Sequence, residues 1–138
     1  MTLRFAELRI GHELPPRAHT ATSVSLFVYN AAVWNPHRIH YDEAYTTQVE
    51  KHPGIVIDGP LQGDWLSQCV LAWLGDAGEL MRFAYSNRRA AYLGETLVTG
   101  SKITGLDASA RSAELELHVT NERGEVTTPG SATVRLRG

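Results

Sequence analysis

Apolar positions along the chain keep a helical period through its first half and then fall to a period of two. From residue 60 to 74, Leu61, Trp65, Leu66, Cys69, Val70, Trp73 and Leu74 recur at three- and four-residue spacing. This stripe predicts a long core helix, ended by Gly75 and Gly78, with Pro60 suited to its first position. Upstream, Val24, Phe27, Val28, Ala31 and Ala32 share the same spacing behind Thr22 or Ser23, either of which can cap a helix over about 23–34. The β-branched and aromatic content of that stretch also permits a strand. Downstream, residues 80–85, 96–104, 113–120 and 131–137 read as strands, and Glu114-Leu-Glu-Leu-His-Val119 alternates most cleanly. Turns are expected at 87–89, 105–107 and 121–124. One long buried helix followed by consecutive antiparallel strands predicts an α+β domain whose sheet wraps the helix face.

The remaining stretches are punctuation. Residues 1–16 form a lead-in closed by Gly11 and Pro15-Pro16, and 17–22 suit a short extended segment. Pro36 biases Asn35 out of the helical region, so 35–40 should be an irregular turn carrying polar side chains. Asp42-Glu43 starts a short helix to about Glu50, broken by Pro53-Gly54, and Ile55-Val56-Ile57 is a short buried strand or extended lead into the long helix.

Length and charge narrow the picture. At 138 residues the chain is one domain's worth, residues 1–138. Its formal charge of −2 gives no general pull toward nucleic acid or membrane lipid, and no apolar run approaches the roughly 18–20 residues needed to span a bilayer. The single cysteine, Cys69, excludes an internal disulfide and a two-cysteine metal motif. The first residues lack a signal-peptide core, so a reducing cytoplasm is expected.

Polar chemistry concentrates between residues 30 and 75. Asn35, His37 and His40 cluster in one turn, and Gly59 stands at a helix entrance. An enzyme acting on a carbonyl compound needs those two parts, a proton-transfer group and donors for a developing oxyanion. Histidine suits proton transfer near neutrality, which makes His40 the candidate general base and, in reverse, acid. Asn35 can accept and donate hydrogen bonds without exchanging protons, and so can hold a water or orient His40. The Gly59 N–H lies where free donors and the helix dipole favour negative charge. Arg88 and Arg89 suit phosphate groups and equally suit a solvated turn. Arg38 can pair with Asp42 or Glu43, and His37 suits either a supporting role or the surface. A metal site from His37, His40 and His52 lacks a helical His pair at four-residue spacing, so no metal is expected.

The string Asn35-Pro-His37-Arg38-Ile39-His40-Tyr41-Asp42, followed by Pro53-Gly54-Ile-Val-Ile-Asp58-Gly59-Pro60-Leu61, resembles the MaoC-like hot-dog-fold acyl-CoA hydratases and dehydratases. It is most similar to the branch containing mitochondrial-type 3-hydroxyacyl-thioester dehydratases and mesaconyl-CoA and 3-methylfumaryl-CoA hydratases. The resemblance implies a long helix wrapped by five or six antiparallel strands, with two such units paired. It implies reversible hydration of a 2-enoyl thioester, a lyase reaction of fatty acid or steroid side-chain metabolism. No cofactor is implied beyond the coenzyme A or phosphopantetheine of the substrate.

The family's catalytic Asp and His, five positions apart, fall on Asn35 and His40, so the His matches and the Asp does not. Gly59 falls where the family sets a backbone N–H against the thioester oxygen, and Asp58 stands where many members have His. His37, Asp58, Pro60, Arg88 and Arg89 are the expected substrate-binding set. Two alternatives share the fold: a thioesterase whose water is activated by Asp64 or Asp58, and one subunit of a heteromeric hydratase. The expected partners are an acyl-CoA or acyl-carrier thioester and a second hot-dog unit, as homodimer or heteromer.

Overall fold

The computed structural model describes residues 3–138, and a five-stranded antiparallel sheet holds one long helix against its concave core face. The elements in order are β1 (Arg17–Thr20), α1 (Ser23–Ala32), α2 (Glu43–Gln48), α3 (Gly59–Leu74), β2 (Gly78–Tyr85), β3 (Thr96–Asp107), β4 (Ser112–Thr120) and β5 (Val126–Leu136). The strands lie in the order β1-β3-β4-β5-β2. This is the α+β layout the periodicity predicts.

The core lies where the two periods meet. Along α3, Trp65, Leu66, Cys69, Val70 and Leu74 are buried, and β4 sends Ala113, Leu115, Leu117 and Val119 inward while Glu114 and Glu116 face solvent. Full burial of one such aliphatic side chain stabilises by about 1.5–3 kcal/mol. Gly130 of β5 lets the helix sit close, because a Cβ there would meet the Ala84 carbonyl and the Leu66 side chain. The lead-in joins the sheet: the Gly11 and Leu14 N–H groups donate to the Ile103 and Ser101 carbonyls, and Leu8 and Leu14 enter the core.

Several boundaries depart from expectation. β3 runs on through Asp107 with a bulge between Ile103 and Gly105, so the turn falls after it. Asp107 makes that turn, its carboxylate accepting from the Ser109 and Ala110 N–H groups. β5 begins at Val126 rather than 131, because Pro129 and Gly130 stay in register opposite His118 and Leu117. Pro60 is the second residue of α3, after Gly59. Trp73 is only partly buried against the core.

α1 forms where its spacing predicts. It is a helix, started by a reciprocal cap in which Thr22 Oγ1 accepts from the Ser25 N–H and Ser25 Oγ from the Thr22 N–H. Its apolar stripe does not face the core: Val24, Phe27, Val28, Ala31 and Ala32 are exposed, while Leu26 and Asn30 are buried. The helix leaves through Trp34, at φ +56°, and the Asn35 N–H closes back on the Asn30 carbonyl at 3.0 Å. That left-handed exit turns the chain sharply into the polar stretch.

Candidate active site

The polar stretch is shaped by a few local bonds. After Pro36 a single 3-10 turn covers Arg38–His40, and Asp42 then caps α2 by accepting from the Tyr45 N–H at 3.0 Å. Arg38 donates twice to Asp42, at 2.8 and 3.1 Å, and its guanidinium stacks 4.1 Å from the Tyr45 ring centre. The Tyr45 N–H and the Arg38 guanidinium together hold the Asp42 carboxyl below the usual carboxylate range. This clasp points Arg38 outward and turns His40, which is buried, inward.

Val56 fixes His40 from the other side. Its N–H donates to the Ile39 carbonyl at 3.0 Å, and its carbonyl lies 2.8 Å from His40 Nδ1. A carbonyl only accepts, so Nδ1 carries a proton and Nε2 is left for chemistry. The 55–57 segment is itself pinned to 91–93, through Ile57 N–H to the Ala91 carbonyl and Leu93 N–H to the Ile55 carbonyl.

Asp58 follows, at the N-cap of α3, yet its side chain makes no cap bond. The carboxylate turns inward and has no exposed surface. Its Oδ1 accepts from Asn30 Nδ2 at 3.0 Å, its Oδ2 from Asn35 Nδ2 at 3.2 Å, and Oδ2 lies 3.4 Å from His40 Nε2. Asn35 is oriented by its own turn, its Oδ1 accepting from the His37 N–H at 3.1 Å. The first turn of α3, with the Gly59 N–H, is left without a side-chain cap at the positive end of a 16-residue helix.

Two hollows of about 350 Å³ each flank this cluster. Into one face His40, Gly59, Pro60, Asn87, Arg88 and Arg89. The other is lined by Phe27, Trp34, Pro36 and Tyr41 with the polar Asn30 and Asn35. The first can place a carbonyl oxygen at the helix N-terminus with a proton acceptor nearby and guanidinium groups at its rim. Arg89 is tied to Glu125 at 2.9 Å, whereas Arg88 Nε donates to Ser86 Oγ at 3.0 Å.

The structure thus brings together His40, Gly59, Pro60, Arg88 and Arg89, and joins Asn35 to Asp58 rather than to His40 directly. Asp58, expected at the substrate, is instead enclosed by protein. His37 is exposed and meets His40 edge-on, with ring centres 5.7 Å apart, outside the hollow. Asp64 is exposed and does not line the hollow; with Asp58 it adds to burial in pushing the Tyr29 phenol up to about 12. His52 lies elsewhere, 3.5 Å from the Tyr92 hydroxyl, and no group of three or more His, Cys, Asp or Glu side chains among the described residues is placed to hold a metal ion. No helix among them is long and apolar enough to cross a membrane.

Sequence reasoning missed Asn30 and Asn87. Asn30 carried a signal, an amide four positions after Leu26 and directly before Ala31 and Ala32 on a helix with an apolar stripe. Asn87 was legible only as a turn, but Gly59 and Gly63, one helical turn apart, mark a bare helix face. A Cβ at Gly59 would strike the Asn87 amide, and one at Gly63 the Tyr85 ring. Behind them the buried Gln62 accepts from Thr127 Oγ1 at 2.7 Å, anchoring β5 to the helix.

A sheet curled on one long helix, with a histidine and an uncapped helix N-terminus opening on one hollow, defines the class as a hot-dog-fold domain. The fold is shared with the (R)-hydratase from A. caviae involved in PHA biosynthesis, at a TM-score of 0.86 and 17% identity over 94% of this chain and 98% of that one. The chain belongs to the hydroxyacyl-thioester dehydratase type 2 family, whose model matches residues 11–93. It is 32% identical over 78 residues to the mitochondrial hydroxyacyl-thioester dehydratase type 2 of Saccharomyces cerevisiae, covering 56% of this chain and 27% of that protein. It is 47% identical over 55 residues to the mesaconyl-C(4)-CoA hydratase of Chloroflexus aurantiacus, covering 36% of this chain and 20% of that protein. The chain therefore spans about a quarter of the length of these curated relatives.

Proposed function

We propose that the chain catalyses reversible hydration of a 2-enoyl thioester, carried on coenzyme A or a phosphopantetheine arm. The observation that carries this reading is that His40 and the uncapped start of α3 at Gly59 open on the same hollow, with Arg88 and Arg89 at its rim. Water attacks the β-carbon as His40 Nε2 takes one of its protons. The π electrons move onto the thioester oxygen, where the Gly59 N–H and the helix dipole receive the charge. Collapse of the enolate and return of the proton from Nε2 to the α-carbon complete the addition of water, and dehydration runs the same path backwards. Arg88 is placed for the phosphates of the carrier.

Family membership supports hydration over hydrolysis, and so does the placement of the two carboxylates a thioesterase would use. Asp58 is enclosed and Asp64 stands outside the hollow. A second hot-dog unit, another copy or a different chain, completes the proposal: β2 and β1 are sheet edges, and Val24, Phe27 and Val28 form an exposed apolar face. A cytoplasmic setting is part of the same proposal and agrees with the free, buried Cys69.

The test follows the enoyl-thioester absorbance band across a panel of 2-enoyl-CoA substrates, with a thiol reagent in parallel. The band should fade without thiol release, and His40→Ala should lose roughly 10²- to 10⁴-fold in rate while staying folded. Thiol release, or a fully active His40→Ala, would overturn the assignment.

A further inference from the structure

We propose that Asp58 is the positioning carboxylate of this site, acting through His40 rather than on the substrate, an inference that rests on the hydratase reading and deepens it. Of the charged side chains around His40, the anion in contact with Nε2 among the described residues is Asp58 Oδ2, at 3.4 Å. His37 meets the imidazole edge-on from the preceding turn, Arg88 and Arg89 share its hollow, and the nearby Asp42 carboxylate is taken up by Arg38.

A buried carboxylate is costly unless it is paired and hydrogen-bonded. Asn30 and Asn35 supply two amide donors, one to each oxygen, and neither amide can be an acceptor toward Asp58. Asn30 Nδ2 also donates to the Leu26 carbonyl at 2.8 Å, and Asn35 Oδ1 is occupied by the His37 N–H. Both amides are therefore oriented to serve an anion. The Asp58 side chain also forgoes the helix cap that an aspartate at this position ordinarily makes, and so gains no local bond from its place in the chain.

The consequence falls on the proton. With Nδ1–H committed to the Val56 carbonyl, a proton taken from water can only arrive at Nε2. The ring then becomes an imidazolium beside a carboxylate that has no exposed surface and is screened by little water. At 3.4 Å the resting contact is loose, and a hydrogen on Nε2 turns it into a charge-assisted one. The proton passes from water to Nε2 and from Nε2 to the α-carbon; Asp58 keeps its charge throughout and takes no proton. Position 35, five residues before His40, carries an amide, and the carboxylate of the site is delivered instead from position 58 through the Asn35–Asp58 hydrogen bond.

The experiment compares wild type, Asp58→Asn and the exchanged pair Asn35→Asp with Asp58→Asn in enoyl-CoA hydration, with circular dichroism and thermal unfolding to verify the fold. Asp58→Asn should lower kcat by roughly 10²- to 10³-fold, the range for removing one electrostatic stabiliser, with KM little changed. The exchanged pair, which returns one carboxylate to the same hydrogen bond, should recover most of that loss. Near-normal kcat in Asp58→Asn, or an exchanged pair that folds and stays as slow as the single variant, would overturn the proposal. Wild type inactive on every enoyl thioester would sink the hydratase reading alone. Long-range ¹⁵N–¹H spectra of the His40 ring then decide on Asp58 independently. The Nε2 resonance should move in Asp58→Asn and return toward its wild-type position in the exchanged pair, and an unmoved resonance would refute the contact.

Discussion

α1 and α3 carry apolar stripes of the same spacing, and the fold uses them in opposite ways. α3 buries its stripe in the sheet, while α1 leaves Val24, Phe27 and Val28 on the outside and turns Leu26 and Asn30 inward. Periodicity reports that a helix has a face; it does not report which face meets the domain's own core. On α1 the inward position is decided by electrostatics. The Asp58 carboxylate needs donors, and Asn30 reaches it from the last turn of a helix that closes on Ala31 and Ala32, too small to compete for burial.

Substitutions on the two helices separate these roles. The largest effect belongs to Leu66→Ala on α3, where a side chain with no exposed surface leaves a cavity; about 2–5 kcal/mol should be lost in denaturant unfolding. A loss below about 0.5 kcal/mol, the usual scale of a surface change, would mean that α3 is not the core element. Asn30→Ala comes next. It strips the donor from Asp58 Oδ1 and should cost about 1–3 kcal/mol by the same measurement, together with a slower hydration rate. A neutral Asn30→Ala would show that α1 is held by Leu26 alone. Val28→Ser should be smallest, within about 0.5 kcal/mol for the isolated chain. A markedly larger loss, with a change in sedimentation, would show that a second unit covers this face.

How far the sequence carries can be judged residue by residue. The Leu66 stripe and the alternation from Glu114 to Val119 depend on neighbours three, four or two positions away, and so they are readable. Asp42 as a cap and Arg38 as its partner are likewise local. The His40 and Gly59 placements come from a motif spread over one short stretch. The contacts that organise the cluster are not local: Asn30 meets Asp58 across 28 positions and Asn87 meets Thr128 across 41. No period or cap rule connects such pairs, and the Asp58 identity alone reads as an ordinary helix cap. Its missing cap bond is visible only in three dimensions. The extension of β5 back to Val126 was hidden for the opposite reason, since Pro129-Gly130 has the composition of a turn and instead stays in the ladder, with Gly130 making room for Leu66 of the helix.

Val56 holds the His40 turn with both of its peptide groups, one on the Ile39 carbonyl and one on the imidazole, and its side chain takes no part in either bond. The tautomer of the imidazole is thus inherited from the main chain. Exchanges of Val56 for other β-branched residues can reshape the hollow without disturbing which nitrogen is free, so substrate preference can drift at this position while the proton chemistry is conserved. At this position the wall of the hollow and the state of the imidazole are separable.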